Sequence, residues 1–98
     1  MPQDLVDDNP LVIENEYDFA KLNDKNWSSI IVKEELFTEM NDELILNDYS
    51  HVQFIHIQRE SYKAISSLTI SNLPELKLLI FEYESFRYTT IFTLSSIF

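Results

Sequence analysis

Four side chains stand out for acid–base or metal chemistry: His51, His56, Glu60 and Glu84. The two histidines are five positions apart, so on a strand they face opposite sides and do not make a metal-binding pair. Glu60 and Glu84 recur 24 residues apart. Stacked carboxylates can share a proton or hold a divalent ion. Arg59, Lys63 and Arg87 lie beside them in sequence, and charge neutralisation at a surface is the ordinary use of such a pattern. The serines, among them Ser61, Ser66, Ser67, Ser71 and Ser85, fall in no nucleophile motif, and the lack of any glycine excludes the strand–turn–helix elbow that presents a catalytic serine. Cysteine is also absent, which removes thiolate nucleophiles, disulfides and Cys-ligated metal sites. No catalytic, cofactor-binding or metal-ligating residue is therefore expected, and the chain does not read as an enzyme. What remains is contact chemistry. His56, Glu60 and Glu84, with the aromatic Tyr83 and Tyr88 set among charges and threonines, form the candidate interaction surface, tyrosines being frequent anchors at protein contacts. Asn26-Trp27-Ser28 is a formal glycosylation sequon, usable only on an exposed loop of an exported chain.

The elements that must position these residues repeat. Shifted by 24, Val52-Gln53-Phe54-Ile55-His56-Ile57 falls on Leu76-Lys77-Leu78-Leu79-Ile80-Phe81, Ser61-Tyr62 on Ser85-Phe86, and Leu44-Ile45-Leu46 on Leu68-Thr69-Ile70, itself on Phe92-Thr93-Leu94. With the shift stretched to 25, Ile30-Ile31-Val32 lies over Ile55-His56-Ile57 and Leu36-Phe37 over Ser61-Tyr62. Leu44–Leu46, Phe54–Ile57, Leu68–Ile70, Leu78–Phe81 and Ile91–Leu94 read as short strands, rich in branched and aromatic residues. Asn47-Asp48 and Ser71-Asn72 supply bends that glycine would otherwise make. Leu68, Ile70, Leu73, Leu76, Leu79 and Phe81 are expected to point inward, with Leu44, Leu46, Tyr49, Val52, Ile55 and Ile57 as their counterparts one unit earlier, and Tyr62 should stack on Phe86. Lys33–Met40 has a second local reading as a short helical turn, since Leu36, Phe37 and Met40 share a helical face.

Ahead of the repeat, residues 1–10 read as an acidic disordered leader and 11–29 as an irregular cap whose aromatics cover the core. The repeat region, 30–98, stops within a unit and leaves an apolar edge, which suggests truncation and self-association through that edge. Apolar residues make up 45% of the chain, with seven Phe, five Tyr and one Trp, enough for a core in one small domain. No apolar run is long enough to span a bilayer. The formal charge is −10, and Met1–Ser50 carries thirteen acids against three bases whereas His51–Phe98 carries four of each. Such a field disfavours nucleic acid and favours a basic partner. The opening residues lack the basic and apolar segments of a secretory signal, which favours a cytoplasmic location.

The run Leu68-Thr69-Ile70-Ser71-Asn72-Leu73-Pro74-Glu75-Leu76-Lys77-Leu78-Leu79-Ile80-Phe81, followed by Ser85-Phe86, resembles the leucine-rich-repeat superfamily, in particular the type found in surface proteins of bacteria and protists. Leu68-x-Ile70 matches its main strand, and Ser61-Tyr62 and Ser85-Phe86 its small-residue-aromatic pair. The resemblance implies a β-rich repeat solenoid, about 24 residues per turn with two short strands each, used as a protein–protein interaction module. A small α+β domain is the alternative fold. Two other functional readings stay open: a fragment or degenerate repeat piece with no independent function, and, more remotely, a carboxylate/histidine enzyme or divalent-metal-binding domain, which would require His56 to gather with Glu60 and Glu84.

Overall fold

A computed structural model of the chain describes residues 9–97; the leader expected over 1–10 lies almost wholly outside the described residues. The strands are β1 (Pro10–Ile13), β2 (Ser29–Val32), β3 (Glu43–Asn47), β4 (Phe54–Ile57), β5 (Ser67–Leu73), β6 (Leu78–Phe81) and β7 (Ile91–Ile97), and a 3-10 helix occupies Glu16–Asn23. They form two parallel sheets, ordered β1-β2-β4-β6 and β3-β5-β7.

The pairing follows the recurrence in the sequence. Leu44, Leu68 and Phe92 are partners across the three-stranded sheet, as are Leu46, Ile70 and Leu94. Across the four-stranded sheet, Leu11, Ile30, Ile55 and Leu79 make one row and Ile13, Val32, Ile57 and Phe81 the next. These rows face inward: all their members before the last strand of each sheet are at most 2% exposed. Alternation explains why, since a parallel register without slip keeps every second side chain on one face.

The expected β-rich repeat solenoid is corrected by the shape of the molecule. Its radius of gyration is 12.5 Å and its extents are 33 × 26 × 24 Å, close to the ~12.6 Å radius of an ordinary compact domain of this length. The physical reason is the small number of layers. Four strands about 4.8 Å apart stack to only ~14 Å, less than the width of the body that the strands and corners make. One shared core, flanked by the 3-10 helix, then gives a small α/β domain of two parallel sheets, in which the α+β alternative is also not realised.

Two local expectations change as well. Lys33–Met40 is not helical, because Glu35 and Phe37 adopt positive φ of 60° and 55° and turn the chain away from a helical path. The helical segment is instead Glu16–Asn23, where the Asn15 side chain caps the first turn by accepting from the Tyr17 amide at 3.0 Å. β5 and β7 are also longer than the Leu68–Ile70 and Ile91–Leu94 strands read from the sequence, each running seven residues.

Each β4- or β6-type strand is followed by a tight corner. Glu35/Phe37, Glu60/Tyr62 and Glu84/Phe86 all have positive φ, between 54° and 62°. These corners bring the aromatic residues into a column: Phe37 stacks on Tyr62 at 4.8 Å and Tyr62 on Phe86 at 5.7 Å, with planes 8° and 1° apart. Ser61, fully buried, ties neighbouring corners together by donating to the Lys33 carbonyl and accepting from the Leu36 amide. Asp48 and Asn72, at φ 63° and 56°, take the glycine-like bends on the other side, joined by a 2.8 Å side-chain hydrogen bond.

Candidate interaction surface

The five residues singled out by sequence divide between two places. His56 projects from the outer face of the four-stranded sheet, in a cross-strand row with Val12, Ile31 and Ile80, all half-buried. Its imidazole Nε2 contacts the Glu82 carboxylate, and the Phe54 ring lies 6.0 Å away. Glu82 in turn accepts from the Arg59 amide at 3.2 Å. The glutamate beside His56 is therefore Glu82, and neither Glu60 nor Glu84, which sit in the corners. Among the described residues no group of three or more His, Asp or Glu side chains is placed to hold a metal ion.

Glu60, Tyr83, Glu84 and Tyr88 gather on the corner side of the last layers. The Glu60 amide donates to the Tyr83 carbonyl at 3.0 Å. Glu84 pairs with Arg87 at 3.3 Å, and the Arg87 guanidinium stands 5.3 Å from the centre of the Tyr88 ring. Tyr83 and Tyr88 are 75% and 61% exposed. Arg59, which the sequence placed beside Glu60, reaches Glu34 at 2.9 Å, and this partner holds its guanidinium proton more firmly than usual.

Phe92 and Leu94, which sequence reasoning did not name as contact residues, also stand at the surface. The recurrence sets them in register with Leu68 and Ile70, which are fully buried, yet each is 50% exposed. Among the described residues no strand pairs with the outer edge of β7 or of β6, so the rows emerge into water there. Leu79 and Phe81 on β6 are only half-buried for the same reason. The aromatic contacts Phe81–Phe86 at 4.8 Å and Phe86–Phe92 at 6.3 Å bring both edge strands to one apolar end face. The recurrence aligns these rows from strand to strand but carries no mark of which copy is covered.

The opposite flank is closed by side chains. Phe19 of the 3-10 helix packs on Phe37 at 5.3 Å, and Glu16 accepts from the Phe37 amide at 3.2 Å. Tyr49 donates to the Leu22 carbonyl at 2.7 Å, and the Lys25 ammonium sits 4.2 Å from the Tyr49 ring centre. In the sequon, Asn26 is exposed but Ser28 is buried, its hydroxyl accepting from the Asn9 amide at 2.9 Å.

Comparison with protein-family models, curated proteins and solved structures finds no match to this chain. The leucine-rich-repeat resemblance gains nothing from them. No helix among the described residues is long and apolar enough to cross a membrane.

Proposed function

We propose that this chain is a protein-binding domain whose contact surface is the end face formed by β6, β7 and the corner between them. One observation carries the reading. Phe92 and Leu94 occupy positions that are fully buried one strand earlier, yet stand half in water beside an unpaired strand edge. A free edge offers a row of backbone donors and acceptors to another chain, and the alternating apolar side chains would give the added strand its register. Tyr83 and Tyr88, exposed on the adjoining corner, supply aromatic area of the kind that anchors protein contacts.

The reading is tested by a photo-crosslinking phenylalanine analogue installed at position 92 and, as a control, at position 17, since Tyr17 is 95% exposed on the 3-10 helix away from this face. Protein adducts in the native source are expected from position 92 and not from position 17. Adducts from neither position, or from 17 alone, would overturn it.

The second reading, a repeat piece with no independent function, draws on the same exposed rows: an end face of this kind is also what a domain shows when its activity depends on chain packed against it. The crosslinking result separates the two, because only the binding reading requires adducts to other polypeptides.

A further inference from the structure

We infer that the end face pairs with a second copy of this chain, β7 against β7 in antiparallel orientation about a two-fold axis. This rests on the proposed binding role of that face and names its partner.

Charge supports the choice. Two chains of formal charge −10 repel one another over most of their surfaces. The excess lies in residues 1–50, whereas the last layer, from Leu76 to Ile97, carries Lys77 and Arg87 against Glu82 and Glu84 and is formally neutral. Copies that meet through this layer keep β1, β2 and the acidic 3-10 helix segment of each on the far sides. A basic partner, by contrast, would be drawn to the acidic half and away from the apolar face.

Area permits it. Whichever two of the extents, 33, 26 and 24 Å, span the end face, its cross-section is at least about 600 Å² per copy, so a pair that meets over the whole face buries about 1,200 Å² or more, within reach of specific interfaces. The same face on both copies makes the contact isologous, and it closes at two.

Register follows from the side chains. A two-fold axis crossing a strand at right angles reverses its direction, so β7 meets its mate antiparallel. Centring the pair on Thr93 sets each copy's Phe92 against the other's Leu94 and covers both half-exposed side chains at once. Centring it on Leu94 would set Phe92 against Ser96. Thr93 then faces its own counterpart, with the two Cα atoms about 4.5–5.5 Å apart, inside the 4.4–6.8 Å range that a disulfide spans.

The chain has no cysteine, so Thr93→Cys reports directly on this geometry. In the 98-residue chain, sedimentation equilibrium should show a monomer–dimer equilibrium, and mild oxidation of Thr93→Cys should trap a covalent dimer within the time in which Thr69→Cys, on the neighbouring interior strand, stays monomeric. Phe92→Glu with Leu94→Glu should shift the equilibrium toward monomer at least tenfold while keeping the wild-type circular dichroism spectrum. A monomer at all concentrations, or equal oxidation of the two cysteine variants, overturns the dimer. If monomeric behaviour coincides with adducts from position 92 to other proteins, the binding role stands and the second copy falls. Monomeric behaviour with no such adducts removes both.

Discussion

Tyr62 lies face to face with Phe86, their ring centres 5.7 Å apart and their planes within 1° of parallel, yet the Tyr62 hydroxyl is buried without a hydrogen-bond partner among the described residues. Phenylalanine stands at both neighbouring positions of the column, Phe37 and Phe86, so the site accepts a plain ring. Tyr62→Phe keeps the stacking and removes an unsatisfied polar group, whose burial costs about 1–3 kcal/mol. The variant should unfold at higher denaturant concentration than the wild type. A lower midpoint would show that the hydroxyl is satisfied, for example by water.

Burial also sets an alkaline limit to stability. Desolvation pushes the Tyr49 hydroxyl up to about 12 from an ordinary 10, and Tyr62 is raised further by burial and by the proximity of Tyr49. In the unfolded chain both would ionise near pH 10 while the folded chain still holds their protons. Stability is therefore full below pH 10 and falls above it, by about 1.4 kcal/mol per pH unit for each tyrosine. Between pH 10 and 12 the slope of unfolding free energy should be near twice that value, and Tyr62→Phe should halve it. An unchanged slope in the variant would refute the contribution of Tyr62.

Glu60 holds φ at 62°, a conformation that costs a residue bearing Cβ roughly 1–2 kcal/mol. Glycine relieves that strain but is more flexible when unfolded, an opposing cost of about 0.5–1 kcal/mol. Glu60→Gly is expected to gain up to about 1 kcal/mol, and the β-branched Glu60→Val to lose at least as much. Equal denaturation midpoints for the two variants would contradict the backbone account.

Ser61 links successive corners through its hydroxyl, which touches the Leu36 amide and the Lys33 carbonyl from a fully buried position. Ser61→Ala leaves the Leu36 amide without this acceptor, and the expected loss is about 1–3 kcal/mol. Amide hydrogen exchange should show the effect first at Leu36. Unaltered exchange there would indicate that the bond contributes little.

Much of this fold was legible because parallel pairing converts a sequence period into a spatial one. Val52 and Leu76, or Tyr62 and Phe86, have matching environments because each lies one layer from the other, and matching environments select matching side chains. The corners were less legible. Their positive φ is borne by Glu35, Glu60 and Glu84 in place of glycine, so composition gave no mark of the bend, and the i, i+3 and i+4 spacing of Leu36, Phe37 and Met40 suggested a helical turn that the backbone does not make. The candidate site was legible in part. Tyr83 and Tyr88 were singled out as possible contact aromatics with their burial left open, and the structure exposes both, whereas the partner of His56 was missed because Glu82 is 26 residues away and becomes its neighbour only when β6 aligns with β4.

By itself the sequence determined the rows: which side chains alternate inward, how far apart their partners lie, and which residues make the aromatic column, because those follow from local alternation and a fixed period. Tertiary structure decided the rest. Whether the layers build a long coil or a compact body depends on how many stack and on how the 3-10 helix packs against Phe37, and whether Phe92 and Leu94 are core or surface depends on a neighbouring strand that no local pattern supplies. Burial is a property of the whole assembly of layers, so identical positions in the repeat become hydrophobic core in the middle and a contact face at the end.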